Sequence, residues 1–467
     1  MDREPTHASR GEGFKVPGVG ERLVVIGGDA GGMVAASQAR RLRPDLDIVA
    51  LEMGEITSYS ACGIPYLVGR EVGSVEELVA REPREYRERL RIDVRLRHEA
   101  MMIDLDRREV EVRDHAHDRT IRLGFDHLML GLGARPRRPR LPGIDHPMVH
   151  GVQNLEDAKA LIGDMESREV SAVVVIGGGY IGMEMAEACR RLGLTTTLLD
   201  QAPEVMGTLD ADMGSLVNQA LRNAGIEVRT STQVEGIGDG LVHTTAGDVA
   251  ADLVILGLGV MPNVAIAVDA GIELGAQGAI AVDRRQQTSA AGVWAAGDCA
   301  QSYHLVSQRD VYVALGTVAN KQAFVAGTNI AGSYATFPGV VGTAISRICG
   351  TEVARTGLTE IEATQAGFGF HAVTVTGTTR ASYYPGAESV VVKMVAERGG
   401  GRVLGAQIVG GQGAAKRIDT VATALHAGMT VRELTQLDLA YAPSLSPLWD
   451  PVQMAARKAM ASLEEDG

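Results

Sequence analysis

The 467 residues suffice for about three domains at roughly 150 residues each. An apolar content of 45% with 22% charged residues argues against disorder, and a net charge of −13 argues against nonspecific nucleic-acid binding. Four cysteines, Cys62, Cys189, Cys299 and Cys349, lie far apart with no CxxC pair or Cys/His cluster, so neither a bound metal nor a disulfide-stapled secreted fold is expected.

Residues 1–20 are polar and mixed in charge, without the apolar core of a signal peptide, and read as an N-terminal extension. No run of 18 uninterrupted apolar residues occurs; the longest candidate, Leu253 to Val268, is broken by Pro262 and Asn263. A cytoplasmic protein that does not enter a membrane is the expectation. The chain holds 57 glycines where average usage of ~7% gives about 33.

Two similar segments absorb much of that excess. The first runs LVVIGGDAGGMVAASQARRL from Leu23 and continues to DIVALE, ending at Glu52. The second runs AVVVIGGGYIGMEMAEACRRLG from Ala172 and continues to TTLLD, ending at Asp200. Each reads as a buried strand, a glycine turn, an Ala-rich helix and a second strand closed by an acid, the dinucleotide-binding βαβ unit. Turns without β-carbons let the backbone approach a pyrophosphate at a helix N-terminus, and the acid can accept hydrogen bonds from ribose hydroxyls. Gly177, Gly179 and Gly182 fill all three glycine positions of the second copy, whereas Asp29 stands at the middle position of the first, between Gly27 and Gly32. Asp200 followed by Gln201 favours NADH, with NADPH the alternative, because a 2′-phosphate would meet a carboxylate without a cation. Further on, GVWAAGDCA from Gly292 is a short strand ending in Gly297-Asp298, which by itself serves as a tight turn or as an acceptor for a polyol.

This order resembles the pyridine nucleotide-disulfide oxidoreductase superfamily of two-dinucleotide flavoproteins. The resemblance spans about residues 21 to 460, although Gly131-Leu132-Gly133 replaces the usual Ala-Thr-Gly. It implies an α/β fold with two Rossmann-like domains and an α+β C-terminal dimerisation domain. The expected division is 21–150 and 276–340 for FAD, 151–275 for NAD(P)H and 341–467 for the dimer interface. The implied nucleotide-binding residues are Gly27, Gly28, Ala30, Gly31, Gly32, Glu52, Gly133, Gly177, Gly179, Tyr180, Ile181, Gly182, Glu184, Asp200, Gly259, Gly297 and Asp298. Tyr180 matches the residue that covers the flavin face, and its alternative role is packing of the helix turn.

SYSACGIPYLVG, from Ser58 to Gly69, resembles the active-site segment of the single-cysteine branch, in particular the coenzyme A-disulfide reductases. Dithiol members use a C-x4-C pair, but Leu67 stands where the second cysteine would be. The resemblance makes Cys62 the redox nucleophile, cycling through a mixed disulfide with CoA. It also implies that Tyr441, in LAYAPSLSPLWDP, and Tyr383, in Ser382-Tyr383-Tyr384-Pro385-Gly386, reach the cysteine of the other subunit of a homodimer. CoA contacts are implied for Arg41 and Ser58; Arg40, Arg41 and Arg43 together form the candidate cationic patch, and Ala61 replaces an Asn found in several reductases.

Related NADH oxidases and peroxidases carry a histidine where this chain has Ala30, which weighs against a dedicated oxidase. Persulfide reductases of the branch often continue into a rhodanese domain; with the sequence stopping at Gly467, a free-standing enzyme is expected. Persulfide or polysulfide reduction and NADH oxidation therefore stand as alternatives to CoA-disulfide reduction at the same cysteine. A signalling flavoprotein is the reading of a different class, and it leaves Cys62 and the two tyrosines without a role.

Overall fold

In a computed structural model, residues 20–465 are described; nearly all of the expected N-terminal extension lies outside them. Two five-stranded parallel sheets and one five-stranded antiparallel sheet organise the chain. The first parallel sheet has the strand order Val293–Ala295, His127–Leu130, Arg22–Ile26, Asp47–Leu51, Asp93–Arg95. The second has the order Glu227–Arg229, Thr195–Leu199, Ala172–Ile176, Leu253–Leu256, Val149–Gly151. In both, the strand before the glycine turn lies centrally and pairs in parallel with the strand that ends in the acid, Arg22 with Asp47 and Ala172 with Thr195 onward. The central strands are apolar on both faces because helices cover them: Val24, Val25, Val174 and Val175 are fully buried.

The chain passes between these sheets twice, and the two passages pair with each other. Ala134–Pro136 and Val260–Pro262 form an antiparallel ribbon, so the apolar stretch around Pro262 is strand, turn and short helix. Beyond the ribbon, Ala267 and Ile272 return to the core of the first sheet.

The third sheet has the order Ala344–Ile348, Thr351–Gly357, Val403–Gly410, Ser389–Glu397, Phe370–Thr378. Its inner face packs on the helices Ile418–Ala427 and Pro451–Glu465 through Val392, Met394, Ile408, Val421 and Val452. One stretch of this region stays apolar and exposed: Tyr383, Tyr441, Leu445, Leu448 and Trp449.

Candidate active site

The first glycine turn is built by backbone contacting backbone. Gly27 has φ +107°, and a β-carbon there would stand 2.0 Å from the Gly131 carbonyl oxygen; one on Gly32 would stand 1.9 Å from that of Gly27. Gly31 faces the Ala296 carbonyl at 2.9 Å from where its β-carbon would be. The turn, Gly131–Gly133 and Gly297-Asp298 therefore converge at the N-terminus of the helix Ala30–Leu42, whose first turn receives no side-chain cap. Glu52 closes the turn by accepting from Gly28 N (2.8 Å) and Gly54 N (2.7 Å). The second turn repeats this: Asp200 accepts from Gly178 N (2.6 Å) and Ala202 N (2.7 Å), and a β-carbon on Gly182 would lie 1.9 Å from Gly177 O. Tyr180, Ile181 and Glu184 open the following helix, Tyr180–Arg191, which also lacks a side-chain cap. Two uncapped helix N-termini behind glycine-rich turns fit the diphosphates of two dinucleotides.

The middle position explains how Asp29 is tolerated. A β-carbon on its counterpart Gly179 would meet only Gly257 O, at 3.8 Å, so the protein leaves room for a side chain there. Burial pushes the Asp29 carboxyl up to about 6, with Glu52 and Asp298 adding to the rise, while the amides of Ala30 and Tyr59 work against it. Burial likewise raises Asp298 to about 6. Gly297 takes φ +81° and donates to Gln322 Oε1 (2.8 Å), which fixes the Gly-Asp turn. Gly133 and Gly259, both at positive φ, flank the interdomain ribbon. Arg137 N donates to Gly259 O (2.9 Å), and Asn263 N donates to Gly133 O (3.0 Å).

Cys62 sits in the short turn Ala61–Gly63, just before the helix Ile64–Val68, and is the one exposed cysteine of the four. Cys189 and Cys299 are buried, and burial pushes both, with Cys349, up to about 12. Within the chain the Cys62 thiol is itself raised, by burial first and then by Glu184 and Asp298. A backbone hydrogen bond of its own works the other way, and burial with the two carboxylates outweighs it. Glu184, beside it, is raised by burial and accepts from Ser346 Oγ (2.7 Å) of the C-terminal sheet. Tyr180 is raised by burial too; its hydroxyl faces Thr208 without closing a hydrogen bond.

Next to this centre lies a cavity lined by Met33, Val34, Ser37, Arg41, Ala80, Arg81 and Tyr86. Ser58, in the left-handed region at φ +54°, donates from its backbone to Gly28 O and places Oγ 2.8 Å from Tyr86 Oη. Of the three arginines in the candidate patch, only Arg41 faces the cavity. Arg40 is buried and donates to the carbonyls of Leu90, Pro44 and Arg91, each at 2.8 Å, and Arg43 pairs with Glu21 and Asp45. Arg81, which stacks on Tyr86 at 5.0 Å, supplies the second guanidinium and was not singled out by any sequence motif.

Tyr383 and Tyr441 meet on the exposed C-terminal face, at 76% and 48% exposure. Ala381 N donates to Pro443 O (3.0 Å), which joins their two segments, and Tyr441 is raised by slight burial and by Tyr383 beside it.

Residues 21–323 match the pyridine nucleotide-disulphide oxidoreductase family, and residues 343–451 match its dimerisation domain. The chain is 37% identical over 446 residues to an NAD(P)H coenzyme A polysulfide/persulfide reductase of Pyrococcus horikoshii, covering 94% of this chain and 98% of that one. It is 30% identical over 440 residues to a coenzyme A disulfide reductase of Staphylococcus aureus, covering 94% and 99%. Among solved structures, the NAD-dependent persulfide reductase from A. fulgidus superposes with TM-score 0.92 at 38% identity, over 95% of this chain and 84% of that one. The chain belongs to the pyridine nucleotide-disulphide oxidoreductase family, uses FAD and NAD(P)H, and forms a homodimer through its C-terminal domain.

Proposed function

We propose that the protein reduces coenzyme A disulfide with NADH through a Cys62–S–S–CoA mixed disulfide. The observation that carries this reading is Cys62 itself. It is the exposed thiol beside both nucleotide cradles, and the other three cysteines are buried or half-buried. With no protein thiol to resolve it, Cys62 needs a small-molecule thiol as its partner.

In this reading Gly27, Gly28, Ala30, Gly31, Gly32, Glu52, Gly133, Gly297 and Asp298 hold FAD, and Gly177, Gly179, Tyr180, Ile181, Gly182, Glu184, Asp200 and Gly259 hold the nicotinamide nucleotide. Bound FAD supplies the electron pair taken as hydride from NADH. That pair and one proton convert the mixed disulfide into Cys62 thiolate and free CoA thiol. The thiolate then attacks one sulfur of CoA disulfide, re-forms the mixed disulfide and expels CoA thiolate, which Tyr441 of the partner subunit protonates while Tyr383 orients it. The balance is NADH, one proton and one CoA disulfide giving NAD⁺ and two CoA thiols. Arg41, Arg81 and Ser58 suit a phosphate-bearing thiol, and no cation follows Asp200 in the run to Gly207 that would select a 2′-phosphate.

No helix among the described residues is long and apolar enough to cross a membrane. A cytoplasmic setting, where thiols stay reduced, suits the four free cysteines. We draw the boundaries between the FAD and NADH units at the paired strands Ala134–Pro136 and Val260–Pro262, somewhat before residues 150 and 275.

A second reading, reduction of a CoA persulfide or polysulfide at the same cysteine, is favoured by the higher identity to the Pyrococcus horikoshii relative. Intact mass of the purified enzyme before and after dithiothreitol tests the shared core. A CoA-sized adduct on Cys62 is expected, and a Cys62 that is fully alkylatable as isolated, without any adduct, speaks against it. Parallel assays with CoA disulfide and with CoA persulfide decide between the two substrates.

A further inference from the structure

Between the second glycine turn and the C-terminal sheet lies a cluster of polar side chains that the reaction does not use. Asp210 precedes the helix Ala211–Asn223 and would ordinarily cap it, yet its carboxylate makes no cap bond. It accepts from Gln407 Nε2 (2.6 Å) and from Glu360 N (3.1 Å), while Asp210 N donates to Gln407 Oε1 (2.7 Å). Lys393 Nζ lies 3.3 Å from Asp210 and 2.7 Å from Asp212, and also pairs with Glu360. Burial opposes the Lys393 ammonium, but Asp212 and Glu360 outweigh it and keep it charged. Arg355, paired with Glu362, donates through Nη1 to Thr208 O (2.7 Å). Asp210, Lys393 and Gln407 are each at most 5% exposed.

The segment held in this way reaches the nucleotide cradle. Met206 N donates to Gly178 O (2.7 Å), and a β-carbon on Gly178 would stand 2.8 Å from Val205. Thr208 faces the Tyr180 hydroxyl. Thus Val205 to Asp212 runs without a break from the floor of the second cradle to the dimerisation domain.

We infer that Lys393, with Arg355 and Gln407, is a positioning residue for nicotinamide-nucleotide binding, clamping the wall of the second cradle onto the dimerisation domain. The inference rests on the reading that the second cradle takes NADH. Removing the ammonium leaves three carboxylates facing one another around a buried Asp210, so the segment pulls away from Gln407 and unseats Gly178 and Tyr180. Groups that contact only the disulfide do not move.

The test uses flavin-loaded dimer of Lys393→Met, Lys393→Arg and the charge-compensated pair Lys393→Met with Asp210→Asn, assayed with CoA disulfide. We expect KM for NADH to rise about tenfold in Lys393→Met, with KM for CoA disulfide and kcat at saturating NADH within about twofold, and both Lys393→Arg and the charge-compensated pair to restore most of the loss. An unchanged KM for NADH in Lys393→Met, or a parallel change in both KM values, overturns the clamp. Asp200→Ala is the control. If it leaves KM for NADH unchanged, the assignment of the cradle fails; if it raises KM while Lys393→Met does not, only the clamp fails.

Discussion

At the scale of single residues, the proposed chemistry turns on Cys62, whose thiol burial raises. The carboxylates Glu184 and Asp298 push it up further, against a backbone hydrogen bond that lowers it. Tyr441 and Tyr383, paired on the exposed C-terminal face, can support the thiolate across a dimer. Tyr441→Phe is expected to lower kcat for CoA disulfide by about 10²-fold, the usual worth of one positioned acid, while leaving reduction by NADH in stopped flow intact. A variant with normal kcat removes Tyr441 from the reaction. The cavity arginines are proposed to act on affinity instead. Arg81→Met and Arg41→Met should each raise KM for CoA disulfide about three- to tenfold, since both guanidinium groups lie at a solvent-open cavity, and should not alter KM for uncharged hydroxyethyl disulfide. Equal effects on both disulfides would mean that the arginines do not read the phosphates.

At the scale of elements, each glycine turn fails in its own way. A β-carbon at Gly32 collides with Gly27 O, and one at Gly182 with Gly177 O, each at 1.9 Å. Gly32→Ala should purify with flavin content well below one per subunit, whereas Gly182→Ala should retain flavin and lose its reduction by NADH. Visible absorbance before and after NADH distinguishes the two, and the opposite pattern would exchange the cradles.

The three-stranded sheet His98–Asp104, Glu109–Asp114, Arg119–Gly124 carries a pH-sensitive lock. Burial pushes Asp114 up, but Arg119 and His117 outweigh it and hold the carboxyl well below the usual range; Ala116 N (3.0 Å) and His117 N (3.2 Å) also donate to it. A carboxyl whose folded value is depressed stabilises above its unfolded value of about 3.9 and loses that contribution as pH falls through the folded one. Amide protection factors in Glu109–Asp114, corrected for the intrinsic exchange rate, should therefore fall below pH of about 4 in the wild type, and should already be low at neutral pH in Asp114→Asn. Protection that is independent of both pH and the substitution would contradict this.

The elements differ in how far the sequence reveals them. Both βαβ units are legible because strand, turn, helix and acid follow within about thirty residues and Gly27, Gly32, Gly177 and Gly182 each answer a backbone contact. Cys62 and the tyrosines are legible as short motifs. Lys393 and Asp210, 183 positions apart in sequence, and the meeting of Arg81 with Arg41 are not, because tertiary packing alone brings them together. The arginine run after the first helix misleads for a related reason: Arg40 looks like surface charge but is consumed by three backbone carbonyls.

At the scale of the whole molecule, the proposed site spans the two subunits of the dimer. Leu445, Leu448 and Trp449 continue the exposed face that carries both tyrosines, and Arg417 fixes that loop through Thr379 O (2.7 Å) and Asp450 (2.9 Å). If Tyr441 serves the partner's cysteine, a heterodimer of Cys62→Ser with Tyr441→Phe holds one intact site and one doubly damaged site. Its activity should be about half that of wild type, far above either parent. Activity no better than the parental homodimers would place both residues of a site in one subunit. The most direct measurement of the account as a whole is NADH oxidation by the holoenzyme with and without CoA disulfide, in wild type and in Cys62→Ser. We predict strong stimulation by the disulfide in wild type and none in Cys62→Ser; equal rates with and without disulfide, or stimulation that survives Cys62→Ser, would contradict it.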